Sequence, residues 1–157
     1  MDLLPQKNIL TKILIYNMET NILNLAKQLA YSNEETLMFS KECAEKMKDI
    51  EGDFVECGVA AGAQILAMAS AAPNKIIHAF DSFEGIPLPS NKDDQMPGIK
   101  FLTKEEQKLL PKPGNQLLES SGATIVSLES FLENMSVLKC PENIIVHKGW
   151  FENTVSK

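Results

Sequence analysis

Two carboxylates and two glycines carry the chemistry this sequence offers. In Asp53-Phe54-Val55-Glu56-Cys57-Gly58-Val59-Ala60-Ala61-Gly62, an apolar run ends in an acidic residue and a glycine-spaced turn. In Phe80-Asp81-Ser82-Phe83-Glu84-Gly85, a second run ends in an aspartate. At the carboxyl ends of parallel strands such residues face a ligand. Gly58 and Gly62 would let backbone approach that ligand closely, and the following helix would offer free N–H groups. A dinucleotide site uses G-x-G-x-x-G to cradle pyrophosphate. Here the spacing is Glu56-x-Gly58-x-x-x-Gly62, and a carboxylate at the strand end repels pyrophosphate but suits an ammonium group. Asp81 is placed to accept hydrogen bonds from vicinal ribose hydroxyls, as the acidic residue of NAD sites does. Amine and ribose in one ligand point to S-adenosylmethionine, whose sulfonium adds a second cationic centre. Two other readings compete. Glu56 would cap the neighbouring helix while Asp81 merely ends a strand, or the chain would be a nucleotide- or NAD-binding half-domain, which Glu56 opposes.

For these residues to meet, the chain must supply parallel strands and crossovers. Phe54 to Val59, Lys75 to Asp81 and Asn143 to His147 are short, apolar and bounded by Gly, Pro or Asn, and read as buried strands. Gln64 to Ala71 reads as a helix between the first two. Val126 to Leu138 reads as another before the third, with Leu128, Phe131, Leu132, Met135 and Leu138 on one face and Ser127 or Thr124 as cap. Strands alternating with helices predict parallel pairing in a doubly wound α/β sheet. Upstream, apolar positions recur at helical spacing from Asn8 to about Ala30, with a break near Asn17 to Thr20. Ser32-Asn33-Glu34-Glu35 has the form of a capping box with Ser32 as N-cap. It opens a helix whose stripe is Leu37, Met38, Phe39, Cys43, Ala44 and Met47. Residues 1–48 are thus expected to form an N-terminal helical layer and residues 49–157 the sheet domain. The stretch from Phe83 to about Gly122 holds Pro87, Pro89, Pro97, Pro111 and Pro113. At the carboxyl end of a strand it reads as a lid-like insertion, or else as a surface insertion without a role.

Composition excludes several classes. A net charge of -6 with dispersed basic residues argues against nucleic acid as a partner. The start lacks a basic n-region, and no apolar run is long enough to cross a bilayer, so no membrane partner is expected. Cys43, Cys57 and Cys140 have no metal-ligand spacing, and their odd number favours a reducing cytoplasm. Cys57, within a strand, reads as a buried thiol. His78 and His147 read as sheet histidines rather than bases. No metal cluster or nucleophilic constellation emerges, and no catalytic residue is assigned.

Four blocks in order carry a more specific signal: Gly52 to Val59, Phe80 to Pro87, Val126 to Glu129, and His147-Lys148-Gly149-Trp150-Phe151-Glu152-Asn153-Thr154. Together they resemble the macrocin O-methyltransferase family, S-adenosylmethionine-dependent, magnesium-requiring enzymes that methylate sugar hydroxyls. The resemblance implies a Rossmann-like class I methyltransferase fold with N-terminal helices. It implies that Glu56 and Gly58, with Val59 and Gly62 in the same turn, meet the methionine end of the cofactor, and Asp81 its ribose. Ser82, Phe83, Gly149, Trp150 and Phe151 would lie around the adenosine. Trp150, the only tryptophan, has a plain core anchor as its alternative role. Where the family usually carries a bulky aromatic and an arginine after Val59, this chain has Ala60-Ala61-Gly62-Ala63-Gln64.

The family's magnesium ligands and late catalytic base would fall beyond Lys157, so Mg2+ is implied while its ligands are absent. The sheet would be a truncated half. The expected function is therefore the S-adenosylmethionine-binding half of a sugar O-methyltransferase, inactive alone, with a sugar or glycoside acceptor. The alternative is a non-catalytic truncated paralogue acting as a binding or regulatory subunit. An unpaired first strand would favour a homo-oligomer or pairing with a complementary C-terminal half.

Overall fold

The computed structural model describes residues 17, 19–86 and 124–155. The start of the expected N-terminal helical run and most of the proline-rich insertion lie outside these residues; where a break was expected near Asn17 to Thr20, residues 17, 19 and 20 are helical. Three strands, β1 (Phe54–Cys57), β2 (Ile77–Asp81) and β3 (Ile144–Lys148), form a parallel sheet in the order β1-β2-β3. The register sets Phe54 beside Ile77 and Ile77 beside Ile144. Helix α1 covers residues 19–29, followed by α2 (Glu34–Met47), α3 (Ala63–Ala71), α4 (Leu128–Met135) and the single turn α5 (Phe151–Thr154). Parallel neighbours require crossovers, and α3 and α4 belong to them. The α/β class with helices ahead of the sheet is as the sequence predicts.

Strand residues alternate between faces, so one register decides what each face buries. The core takes Ile77 and Ala79, with Phe54, Ile144 and Val146 packed against it, all from one face. Ile22 and Ala26 of α1, Leu37 of α2, Ile65 and Leu66 of α3, and Phe131 and Met135 of α4 close over them. Each fully buried aliphatic or aromatic side chain contributes about 1.5–3 kcal/mol. On the other face Val55 is 61% exposed, Ile145 39%, and Cys57 is open to solvent. Cys57 is therefore not the buried thiol expected from its place in a strand. A doubly wound sheet needs a layer on this face too; among the described residues only one face is covered.

Local chemistry shifts several boundaries. The N-cap of α2 is Asn33, not Ser32: its Oδ1 accepts the Thr36 N–H at 2.9 Å and the Thr36 hydroxyl at 2.8 Å. Asn and Ser cap about equally well, and Thr36 adds a second bond to the Asn33 option. The α2 stripe is narrower than expected. Leu37 and Ala44 are buried, whereas Phe39 (67%) and Met47 (50%) are exposed. The reason is close contact through small residues, with Ala44 against Ala71 and Ala72. Strand β1 stops at Cys57 because Gly58 takes φ +85°, although the Gly58 N–H still reaches the Phe80 carbonyl at 2.8 Å. Helix α4 begins at Leu128 under the Ser127 cap, whose hydroxyl accepts the Ser130 N–H at 3.1 Å.

Candidate functional site

All three strands end on the same side, and each tip turns through left-handed backbone. Gly58 (φ +85°) and Ala60 (+45°) follow β1, Phe83 (+57°) follows β2, and Gly149 (+145°) follows β3. Asp81 ties these turns together. Its Oδ2 accepts the Ala60 N–H at 2.9 Å, and its Oδ1 accepts the Phe83 N–H at 2.7 Å. Its backbone carbonyl accepts the Gly149 N–H at 2.9 Å. A left-handed non-glycine residue costs about 1–2 kcal/mol. A hydrogen bond to a charged group returns about 1.5–3 kcal/mol. Of the three described non-glycine residues at positive φ, Ala60, Phe83 and Thr124, the first two are thus the ones whose N–H groups Asp81 holds.

Around Asp81 lies a cavity of ≈ 310 Å³. Gly58 and Ala60 line it from the β1 tip, Asp81, Ser82 and Gly85 from the β2 tip, and Gly149, Trp150 and Phe151 from the β3 tip. The Ser82 hydroxyl closes the β2 turn, accepting the Glu84 N–H at 3.1 Å and donating to the Gly85 carbonyl at 3.3 Å. Trp150, at the N-cap of α5, is half-buried and forms part of the wall.

Glu56 is the penultimate residue of β1 and is in register with Ala79, on the same sheet face as Asp81 two positions further along β2. It opens onto a second cavity of ≈ 140 Å³ that shares Gly58 and Ala60 with the first. Its Oε2 is buried without a hydrogen-bond partner among the described residues. Burial, and after it the nearby Asp81 carboxylate, pushes Glu56 up to about 8. Glu56 does not cap the adjacent helix: the N-cap of α3 is Gly62, with no side-chain cap bond.

Of the residues predicted for the site, Gly58, Asp81, Ser82, Gly149, Trp150 and Phe151 line the larger cavity, and Glu56, Gly58 and Val59 the smaller. Gly62 and Phe83 line neither. A Cβ on Gly62 would lie 2.5 Å from Met135 Cε and 2.9 Å from Phe131 Cε2, so the close approach at Gly62 is by α4. Phe83 is buried against Phe131, with ring centroids 5.4 Å apart. Sequence reasoning missed Ala60, Gly85, Ile86, Thr124 and Glu152 as wall residues. Gly85 stood in a quoted block and was readable as a turn; an alanine at positive φ gives no sequence signal. Among the described residues no group of three or more His, Cys, Asp and Glu side chains is placed to hold a metal ion, and no helix is long and apolar enough to cross a membrane.

The combined space is in the range of small-molecule sites. It offers an unpaired carboxyl for a cationic group, open backbone at Gly58 where a Cβ would meet nothing within 4 Å, and an aromatic wall for a planar base. These residues fit an adenosyl amino acid. Such tips are where open parallel α/β domains hold their ligands. A family model described as Macrocin-O-methyltransferase (TylF) matches residues 32–157, and the chain belongs to that family. Among solved structures it is similar to one titled "Structure of the O-methyltransferase NovP", at 22% identity and a TM-score of 0.48. The match covers 76% of this chain and 46% of that one, so the chain spans less than half that protein's length. No curated protein sequence matches it.

Proposed function

We propose that this chain binds S-adenosylmethionine at the strand tips and forms the cofactor-binding part of an O-methyltransferase acting on sugar or glycoside hydroxyls. The observation that carries this is the buried, unpartnered Glu56 carboxyl beside the Gly58 turn, within reach of the Asp81 cavity. When bound, the sulfonium supplies an activated methyl group, transferred by direct displacement. Glu56 would take the ammonium, and the oxygens of Asp81, with lone pairs left after two N–H bonds, would take ribose hydroxyls. Trp150 and Phe151 would flank the adenine. The contribution of these residues is orientation and exclusion of water.

Magnesium is implied by the family resemblance, and none of the described residues is assigned to it. Pairing through β1 with a second copy or a complementary C-terminal half belongs to the same proposal; among the described residues β1 has a strand neighbour on one side only. Three free cysteines support a reducing, cytoplasmic setting.

Calorimetric titration with S-adenosylmethionine and, separately, with NAD tests the reading. Binding of the first in preference is expected, weakened at least about tenfold, or 1.4 kcal/mol, by Asp81→Asn. Preference for NAD, or no binding of either, overturns it. Methyl transfer to a glycoside, alone or with a complementary half, separates an enzyme subunit from a non-catalytic binding or regulatory subunit.

A further inference from the structure

Among the described residues, the surroundings of Glu56 lack what a buried carboxylate needs. Its cavity is walled by Leu29 of α1, Tyr31 and Ser32 of the turn before α2, Val59 and Ala61 of the glycine turn, and Gln64 of α3, with no lysine or arginine among them. Gln64 accepts the Ser40 hydroxyl at its Oε1 and makes no hydrogen bond to Glu56 Oε2. Gly62, at the head of α3, has no side chain to offer. The charged group that does bear on Glu56 is another carboxylate, Asp81 of β2, already bonded to the Ala60 and Phe83 N–H groups. Lys148 of β3 is in register with Asp81 on the far side of β2 and is exposed. Charge without a partner is costly to bury, and a second carboxylate nearby raises that cost, so the carboxyl keeps its proton.

We propose that binding at this site is coupled to release of one proton from Glu56, which is a neutral acid while the site is empty and a carboxylate once a ligand's ammonium group sits beside it. The inference rests on the S-adenosylmethionine reading and adds a property that reading does not require. The ammonium supplies the missing cation, the acid O–H bond breaks, and the proton passes to solvent. By linkage, affinity rises with pH as long as the empty site is protonated and the filled one is not. The direction agrees with the raised value of about 8 for Glu56.

The test is calorimetry on the whole chain in two buffers of different ionisation enthalpy, between about pH 5.5 and about 7, below the α-amino titration of the ligand near 7.7–8.0. S-adenosylmethionine should release close to one proton per molecule bound, with Kd falling about tenfold per pH unit. 5′-Methylthioadenosine keeps the nucleoside and lacks the amine, and should bind without proton release and with a flat profile. In Glu56→Gln the proton release with S-adenosylmethionine should vanish; if that variant does not fold, the two ligands on the unaltered chain decide alone. Binding of S-adenosylmethionine without proton exchange, or equal release with both ligands, overturns the coupling and leaves the cofactor reading standing. Absence of S-adenosylmethionine binding at every pH overturns the cofactor reading, and the coupling with it.

Discussion

Ile77 and Ala79 are wholly buried, while His78 and Phe80, their immediate neighbours in β2, are only half-buried, and Val55 and Ile145 beside them lie open. The covered and uncovered faces of one sheet also treat polar groups differently. On the uncovered face His78 Nε2 lies 3.2 Å from Asp53 Oδ2, and His78 Nδ1 lies 2.8 Å from His147 Nε2. The two imidazoles and the Asp53 carboxylate thus form one hydrogen-bonded chain. The His147 ring in turn stacks on Phe80 at 4.1 Å. Each polar group there finds a neighbour across the three strands. On the covered face Glu56 Oε2 has none among the described residues. An unsatisfied buried polar atom is destabilising, and this one lies where two cavities meet at the strand tips. The contrast teaches that the misfit marks a place for a ligand, whereas the histidine chain is self-contained.

Five substitutions break or sharpen this contrast, in decreasing order of effect. Phe131→Ala empties the centre of the covered face and should cost about 3–5 kcal/mol in urea unfolding. A loss below about 1 kcal/mol would mean that the covered face is not the core. Gly62→Ala forces a Cβ onto Met135 and Phe131 at φ +86° and should cost about 2–4 kcal/mol. Gly58→Ala has strain without crowding and should cost about 1–2 kcal/mol. Equal losses at the two glycines would remove the packing role assigned to Gly62.

The fourth is Glu56→Gln, read against pH. Folded Glu56 holds its proton up to about 8, whereas an ordinary glutamate releases it near 4.5, so the folded state binds more protons in that window. The stability that the protonated acid contributes is complete below pH 4.5 and is lost as pH rises toward 8. Glutamine has no such slope. The variant should therefore gain Tm over the parent at the upper end of the window, about 2–4 °C for each kcal/mol in a chain of this size, and lose that advantage at the lower end. Parallel pH profiles would show that Glu56 is not desolvated. Smallest of all, Val55→Thr on the open face should change stability by no more than about 0.5 kcal/mol.

Strand existence was legible because each strand is a short apolar run between breakers, and the helix before the third strand carries a clean stripe. The meeting of Glu56 and Asp81 was legible for the same reason: both end parallel strands. The covered face was not. A run such as Phe54-Val55-Glu56-Cys57 looks the same whether one face or two are buried, so Cys57 read as core. Gly62 was assigned to the ligand because a glycine signals close approach without naming what approaches. Ser32 and Asn33 are adjacent cap formers, and the choice between them was made by Thr36, through two bonds to one oxygen. Ala60 and Phe83 owe their backbone to Asp81, a long-range cause that no local pattern carries.

The most direct test is a titration of isotope-labelled chain with S-adenosylmethionine, following backbone amide resonances. Shifts should concentrate at Gly58, Ala60, Ser82 to Gly85 and Gly149 to Phe151, and leave Val55, His78 and Ile145 unmoved. Shifts centred on Val55, His78 and Ile145, or no shifts at a saturating concentration, would contradict the strand-tip site.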